Sequence, residues 1–393
     1  MLDKTYFICH TIIAKGEIFI KKLLKTAIIA IMILSVLLSP ACNRQSVTEL
    51  GIPSKDNYSK ESGGLYAMDL RLYENKLYVG DGDYGANTGP VKLMAYNLKT
   101  KKWETSGTLP DEAIRRFIIL NGKLTVPGTD PRDDWSFGNY YVLENGAWST
   151  VRTIPDGIHN FDMIEFDGKI FAALDKEPEK IPLAASIDGG RTFYTVEMLK
   201  DGELIDTDGG VFNRCLEFIV HNDTLYTTYF YSNEANDNIR FELYRYSPTI
   251  GKFEFVKSLI GVTPVRSDCG KEFFKSTATF KNKVFIASGY LLVSSDMDTF
   301  DKIKFEKNDV VWDIELCGDE MYVLTSYKNK NGTHTVSVWK NTDGNPDNLS
   351  LEFRFTYDIP AVSFAVSNDD FFFSMYNNRS VHDKNGIILR YAR

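Results

Sequence analysis

Histidine, cysteine and tryptophan are scarce in this chain, with five of each among 393 residues. The histidines form no HExxH pattern and the cysteines no CxxC pair, so two common signatures of zinc sites and redox-active dithiols are missing. Basic residues are outnumbered as well, since 45 Lys and Arg stand against 53 Asp and Glu, for a net charge of −8. We therefore expect no nucleic-acid partner, because such a partner needs a basic face.

Long apolar runs are also rare, and the most prominent one, Ala27–Leu38, follows a lysine-rich segment. Its 12 residues would make a helix of about 18 Å, which is too short for a hydrocarbon core of about 30 Å. A basic segment, an apolar run and small residues before Cys42 are typical of a secretory signal. Residues 1–41 are therefore predicted to be a signal peptide.

The cysteine that ends this segment, Cys42, resembles the lipid-modified cysteine of bacterial lipoproteins. The resemblance implies cleavage before Cys42 and acylation of its thiol and amine, although Ser39 stands where that family usually has leucine. Ordinary signal cleavage nearby is the alternative. We expect residues 42–62 to form a lipid-anchored tether and a closing strand, and residues 63–393 to form a single domain in the cell envelope, on the periplasmic side or at the cell surface. The other cysteines of the mature chain are an odd number, which argues against a disulfide framework: Cys215, Cys269 and Cys317.

The rest of the chain repeats one local pattern seven times. In each copy an alternating apolar strand is followed by a two-residue turn and a second apolar strand, which is the signature of a β-hairpin. The turns are Glu74-Asn75, Asn121-Gly122, Asp167-Gly168, Asn222-Asp223, Lys281-Asn282, Gly318-Asp319 and Asn368-Asp369. Their mean spacing of 49 residues is close to the roughly 40–50 residues of a propeller blade.

This periodicity predicts an all-β fold, a seven-bladed β-propeller of four-stranded antiparallel blades. Six or eight blades, or two stacked sandwiches, are the alternatives. The predicted second strands are Leu77–Val79, Lys123–Val126, Ile170–Ala173, Leu225–Thr228, Val284–Ala287, Met321–Leu324 and Phe371–Ser374. The last unit has a single strand after its hairpin, so residues 46–62 are expected to supply its outer strand and to close the ring.

One turn between strands carries a family motif. Its residues, in the sequence SIDGGRTF, are Ser186, Asp188, Gly190, Thr192 and Phe193. The motif resembles the Asp-box, or BNR repeat, of sialidase-like propellers, and Ser295–Phe300 resembles a degenerate copy. The resemblance implies a structural role, in which the aspartate holds a tight turn and the aromatic ring packs between sheets. The signal and the fold together resemble exported lipoproteins of the Bacteroidetes type.

Catalytic residues cannot be assigned from the sequence. Sialidases usually place their first arginine in an F/Y-R-I-P motif, and the nearest sequence here, Val151–Pro155, has a different order and spacing. Other glycoside hydrolases need two carboxylates about 5–10 Å apart, and no spacing in the chain identifies such a pair. We expect no cofactor and no metal site, with Asp81–Asp83 and Asp206–Asp208 as weak candidates for Ca²⁺.

Propeller geometry predicts where a ligand would bind. The first residues of the innermost strands converge on the central axis, and a pocket of Arg, His, Asn and Trp suits a sugar or a small acidic ligand. The candidate ligand-binding residues are Arg115, Arg116, His159, Asn160, Arg214, Lys275 and Trp312, with Tyr84 and Trp135 at the lip. The alternative is that these charged residues pair with acids around the channel.

These observations predict an exported, lipid-anchored, monomeric propeller that binds a carbohydrate, another polar ligand or a partner protein on one face. Contact with the membrane is expected through the lipid anchor alone. A glycan-active enzyme of glycoside-hydrolase type that uses the central pocket is one alternative function. A protein-interaction scaffold is the other.

Overall fold

The structure is a computed structural model that describes residues 47–58, 65–82, 89–132, 135–177, 179–235, 238–262, 276–306, 309–377 and 382–393. The predicted signal peptide and Cys42, and the candidate residues Tyr84 and Lys275, lie outside these ranges. Among the described residues, no helix combines the length and the apolar character needed to cross a membrane.

The seven predicted hairpins are present, and turn chemistry explains their positions. In the first five turns both residues have positive φ, as in Glu74 (46°) and Asn75 (62°). Two-residue hairpin loops need this conformation, and Asn, Asp and Gly adopt it most readily. Each predicted second strand lies within a strand that pairs antiparallel with the strand before its turn.

The strands of the described residues form five four-stranded sheets and one ten-stranded sheet. After β1 (Thr48–Gly51), the first two four-stranded sheets contain β2 (Asp69–Tyr73), β3 (Lys76–Gly80), β4 (Val91–Asn97) and β5 (Lys102–Leu109), then β6 (Ile118–Leu120), β7 (Lys123–Pro127), β8 (Phe137–Glu144) and β9 (Ala147–Pro155). The ten-stranded sheet contains β10 (His159–Phe166), β11 (Lys169–Asp175), β12 (Leu183–Ser186), β13 (Tyr194–Thr195), β14 (Met198–Lys200), β15 (Glu203–Leu204), β16 (Gly210–His221), β17 (Thr224–Asn233), β18 (Ile239–Ser247) and β19 (Lys252–Ser258).

Three further four-stranded sheets complete the fold. They contain β20 (Ser276–Phe280), β21 (Lys283–Ala287), β22 (Leu291–Ser294) and β23 (Asp301–Ile303), then β24 (Val310–Cys317), β25 (Glu320–Lys328), β26 (His334–Asn341) and β27 (Ser350–Tyr357), and finally β28 (Ala361–Val366), β29 (Asp370–Met375) and β30 (Ile388–Ala392). A short 3₁₀ helix, Pro346–Asn348, connects β26 to β27. The fourth strand of the last sheet is β1, which pairs antiparallel with β30.

The first strands of successive units pack against one another around a ring: β6 on β10, β10 on β16, β16 on β20, β20 on β24, β24 on β28 and β28 on β2. The fold is therefore an all-β propeller of four-stranded antiparallel blades. Seven separate blades were predicted, whereas five sheets have the four strands of a single blade and the sixth sheet has ten strands. The difference arises because Asp175 of β11 pairs with Arg214 of β16 and joins β10–β13 and β16–β19 into one sheet.

Each unit has a polar residue five positions before its hairpin turn, on or just before its first strand. These residues are Asp69, Arg116, Asp162, Glu217, Ser276, Asp313 and Ser363. We call this set the polar ring. Several of its members accept a hydrogen bond from the backbone N–H of the next unit: Asp69 from Phe117 (2.7 Å), Asp162 from Phe218 (2.9 Å), Ser276 from Ile314 (3.2 Å) and Asp313 from Phe364 (3.1 Å). The polar ring thus joins consecutive blades along their inner strands.

Candidate functional site

Four polar residues form one row across neighbouring strands. His159 of β10 pairs with Asp175 of β11, which in turn pairs with Arg214 of β16. On its other side His159 forms an antiparallel bridge with Thr129. Residues directly opposite each other in antiparallel strands place their side chains on the same face of the sheet. The four side chains therefore share one face, and we call them the polar row.

His159 lies between two carboxylates. Its Nδ1 is 3.1 Å from Oδ2 of Asp175, and its Nε2 is 3.6 Å from Oδ2 of Asp130. Burial alone would lower the pKa of His159, but its contacts with Asp130 and Asp175 outweigh burial and raise it. This environment therefore favours the imidazolium form of His159.

The Arg214 guanidinium completes the polar row. Its Nε and Nη2 lie 2.8 and 2.7 Å from Oδ2 of Asp175. Burial would raise the pKa of Asp175, but His159 and Arg214 hold that pKa below its ordinary value. Arg214 is thus ion-paired, as in the alternative that the sequence left open, yet its side chain keeps part of its surface exposed.

Phe161 is the aromatic residue on which three predicted side chains meet. The His159 ring stacks on it at 5.7 Å between centroids and 10° between planes. The guanidinium carbons of Arg115 and Arg214 lie 4.8 and 5.5 Å from the same centroid. Phe161 was not predicted, because the alternation of apolar residues along the strand does not distinguish it from its neighbours. A bulge between Asn160 and Asp162, in the pairing of β10 with β11, falls at Phe161.

Two other predicted residues have separate partners. Arg116 forms an ion pair with the polar-ring residue Asp162, with 2.9 Å between Nη1 and Oδ2. Trp312 of β24 donates from its Nε1 to Oγ of Ser326, 2.6 Å away, and its ring packs against the core between the last two sheets. The structure therefore brings Arg115, His159 and Arg214 together on Phe161, whereas Trp312 belongs to another part of the ring.

The remaining described candidates differ in exposure. Asn160 is 1% exposed, and its side-chain oxygen and nitrogen are both buried without a hydrogen-bond partner. Trp135 is 54% exposed, as a ring at the lip of a binding site would be.

Two acidic residues near His159 were missed by sequence reasoning. Glu112 precedes β6 and is 2% exposed, and Asp130 follows β7. One carboxylate oxygen from each and one ring nitrogen of His159 lie within 4.8 Å of one another. We call these residues the carboxylate–histidine trio; their donor atoms are of the kinds that bind divalent cations. The available signal was an acid at a strand end, which is too common to select these two.

The motif turn at Ser186–Phe193 has the hydrogen bonds expected of a structural aspartate. Asp188 accepts from the backbone N–H of Thr192 (2.9 Å), the Thr192 hydroxyl (2.7 Å) and the Ser186 hydroxyl (2.8 Å). Asp296 accepts in the same way from the Thr299 N–H (2.8 Å) and from the hydroxyl of Ser294 (3.2 Å). The serine of the second turn is thus Ser294, one residue before the range that resembled the motif.

An open pocket of about 530 Å³ lies beside the weak calcium candidate Asp206–Asp208. It is lined by Asp206, Asp208, Gly209, Tyr231, Asn233, Glu234, Ala235 and Asn238. Tyr231 donates from its hydroxyl to the backbone oxygen of Asp208 at 2.6 Å, and the Asp208 N–H donates to Asp206 at 3.0 Å. These hydrogen bonds stabilise the loop, and one of its carboxylates, that of Asp206, accepts a hydrogen bond from the loop backbone.

Comparison with known proteins relates this chain to others by fold. No protein-family model matches it, and no curated protein matches it in sequence. Among solved structures, a chain of the mitotic checkpoint complex is 9% identical with a TM-score of 0.50, covering 88% of this chain and 93% of that chain. The polysaccharide lyase Uly1 is 8% identical with a TM-score of 0.49, covering 88% of this chain and 97% of that chain. Sqt1 from Saccharomyces cerevisiae is 9% identical with a TM-score of 0.45, covering 85% and 97%.

Proposed function

We propose that this protein is an exported, lipid-anchored propeller that binds an acidic carbohydrate or another small anionic ligand beside the polar row. The observation that carries the proposal is the convergence of Arg115, His159 and Arg214 on the ring of Phe161. Two guanidinium groups and an imidazolium around one aromatic ring offer cationic hydrogen-bond donors to an anion in a chain of net charge −8, although Asp130 and Asp175 lie among them.

The chemistry of these groups suits a carboxylate or sulfate. A guanidinium has five N–H donors in a planar fork, and the pair with Asp175 engages Nε and Nη2 of Arg214. Charge-assisted hydrogen bonds from such groups contribute about 1.5–3 kcal/mol each. Trp135, exposed on the loop after β7, is placed in this proposal as a stacking surface at the lip.

A ring of seven blades is the architecture that we propose for this binding site. The polar ring supports it, because one polar residue stands five positions before each of the seven hairpin turns. Each of the two four-strand runs in the ten-stranded sheet is then counted as one blade. The equivalent hydrogen bonds at Asp188 and Asp296 favour membership among sialidase-like propellers, in which such turns recur from blade to blade.

Calorimetry tests the binding proposal. The mature chain is titrated with uronic-acid-containing, sulfated and neutral oligosaccharides of matched length. Arg115→Ala and Arg214→Ala are each expected to weaken binding of the acidic ligand roughly tenfold or more. Arg354→Ala is the control, because Arg354 is a half-exposed arginine paired with Glu306 at 3.3 Å on an outer strand. Equal affinity for acidic and neutral ligands, or unchanged affinity in both site variants, would contradict the proposal.

The anchor requires its own test. Mass spectrometry of the protein extracted from membranes should find an N-terminal acylated Cys42. A Cys42→Ala protein should be released from the membrane fraction, and its full retention there would refute the anchor.

One observation favours a second function, an enzyme acting on glycans at the same site. His159 has a carboxylate near each ring nitrogen, and an imidazole held in this way can exchange a proton with a substrate. Incubation with the same acidic oligosaccharides, followed by mass analysis, separates the two functions. Cleavage products that vanish with His159→Gln would favour the enzyme, whereas binding without products would favour the binding protein.

A further inference from the structure

We propose that the carboxylate–histidine trio, Glu112, Asp130 and His159, binds one divalent first-row transition-metal ion. The sequence predicted no metal site, and the inference does not depend on the glycan ligand proposed above. It rests on the spacing of the donor atoms, on the orientation of the imidazole and on a fourth potential donor atom, a buried hydroxyl oxygen on the same face.

The spacing of the donors fits ligands of one ion. His159 Nε2 and Asp130 Oδ2 are 3.6 Å apart, which is too long for a hydrogen bond. Two ligands that each lie about 2.0–2.1 Å from a tetrahedral ion are themselves separated by roughly 3.4 Å. The three donor atoms of the trio all lie within 4.8 Å of one another, so they would need to move closer together to bind one ion.

The orientation of the imidazole also fits a metal ligand. Its Nδ1 is 3.1 Å from Asp175 Oδ2, and this oxygen is fixed in turn by Arg214. Metal-binding histidines commonly donate one ring N–H to a carboxylate, which fixes the ring and directs the other nitrogen to the ion. In this protein the other nitrogen, Nε2, faces Asp130, and an ion bound there would replace the proton that Nε2 carries in the imidazolium form.

A buried hydroxyl on the same face is the second, independent indication of a ligand. Thr129 is fully buried, and its Oγ1 has no hydrogen-bond partner. Its bridge with His159 places the two side chains on one face of the sheet. A buried hydroxyl without a hydrogen-bond partner is destabilising, and an ion or an ion-bound water beside His159 would satisfy it.

The donor set selects the class of ion. One imidazole, two carboxylates and a hydroxyl favour ions that accept both nitrogen and oxygen, such as Zn²⁺ or Mn²⁺. Ca²⁺ prefers six to eight oxygen ligands, and Mg²⁺ keeps most of its water. We therefore expect Zn²⁺ to bind most tightly among these ions, with Mn²⁺ weaker and Ca²⁺ weaker still.

The test uses the mature chain without any glycan. After chelator treatment and dialysis, calorimetry with Zn²⁺ should give one binding site per chain. Each of the substitutions Asp130→Asn and Glu112→Gln should weaken the affinity for Zn²⁺ roughly tenfold or more. Asp156→Asn is the matched control, because Asp156 lies before β10 with the same φ as Asp130 (53°) but is half-exposed and paired with Lys180. Asparagine tolerates this backbone conformation, so both Asp→Asn changes leave the turn intact.

Crystals soaked in Zn²⁺ give a readout that does not need folded variants. An anomalous peak within bonding distance of His159 Nε2 and of the two carboxylates supports the proposal. Absence of a stoichiometric Zn²⁺ site in the unmodified chain would overturn it, as would an anomalous peak elsewhere or unchanged affinity in both trio variants. The two proposals can fail separately. An unmodified chain that binds Zn²⁺ but no acidic oligosaccharide contradicts the proposed function alone. A chain that binds the oligosaccharide but no Zn²⁺ contradicts the metal site alone.

Discussion

The carboxylate of Asp162 connects two consecutive inner strands, because its Oδ2 accepts the backbone N–H of Phe218 at 2.9 Å. The same oxygen is 2.9 Å from Nη1 of Arg116, which stands before the preceding inner strand. Asp162 therefore links three successive units of the ring from a buried position. Asp69 and Asp313 make the same backbone contact in other units.

Removal of the Asp162 side chain should destabilise the whole ring. Asp162→Ala leaves the Phe218 N–H without its acceptor and removes the ion pair between Asp162 and Arg116, so we expect the free energy of unfolding to fall by about 3 kcal/mol. Asp162→Asn should lose less, because the amide oxygen still accepts the N–H. Equilibrium denaturation measures both, with Asp319→Ala as a control at a fully exposed turn residue. A midpoint of Asp162→Ala equal to that of the control would show that the contact is dispensable.

Arg214 should contribute to stability as well as to binding. Arg214→Ala leaves the largely buried Asp175 with His159 as its remaining cationic partner, so the melting temperature should fall. Adding Asp175→Asn removes the uncompensated charge and should restore part of the loss. A thermal-denaturation double-mutant cycle measures this coupling, which we expect to be about 1–3 kcal/mol. Strictly additive effects of the two substitutions would show that the pair is not coupled.

Asp81 should make the fold less stable as the pH rises. Burial raises the pKa of Asp81 to about 7, and a hydrogen bond from the Ser54 hydroxyl offsets only part of the increase. The folded pKa lies above the unfolded value, so folded protein binds the proton more tightly. Stability is then lost progressively from about pH 4 to pH 7. Asp81→Asn should flatten this slope and stabilise the protein at pH 8 by up to about 4 kcal/mol.

Denaturation with urea at pH 5 and pH 8 gives the free energy of unfolding of Asp81→Asn and of the unmodified chain, and the difference between them measures the effect of Asp81. Asp69 and Asp111, whose pKa values burial raises to about 6, remain in both proteins and so cancel from this difference. Asp319→Asn provides the exposed control. An Asp81→Asn protein with the same pH slope as the unmodified chain would show that Asp81 ionises normally.

The hairpins could be predicted from the sequence because each depends on neighbouring residues: apolar alternation and a turn pair that tolerates positive φ. The polar ring follows the same local pattern, five positions before each turn, but it was not predicted. The pairing of Asp175 with Arg214, which joins two units into one sheet, could not be predicted from the sequence. It depends on how far the two strands extend toward each other.

Among the candidate residues, Arg115, His159 and Arg214 lie together on Phe161, in line with the expectation that equivalent positions of successive units converge. Phe161 was missed because a bulge, rather than alternation, determines its position. Glu112 and Asp130 were missed because their proximity to His159 is created by separate units of the ring.

The motif aspartates should support stability and leave ligand binding unchanged. The Thr192 backbone N–H, the Thr192 hydroxyl and the Ser186 hydroxyl hold the pKa of Asp188 at about 2, and Asp296 has a similarly low pKa of about 2. Since the folded pKa lies below the unfolded value, this stabilisation is complete above about pH 4 and is lost as the pH falls toward 2. Asp188→Ala should therefore lower the melting temperature at pH 7 but have much less effect at pH 2, where this carboxylate is about half protonated in the folded protein and almost fully protonated in the unfolded chain. The two turns belong to different sheets, so the effects of Asp188→Ala and Asp296→Ala should add. A loss of affinity for the acidic ligand in Asp188→Ala, at an unchanged melting temperature, would instead place this turn in the binding site.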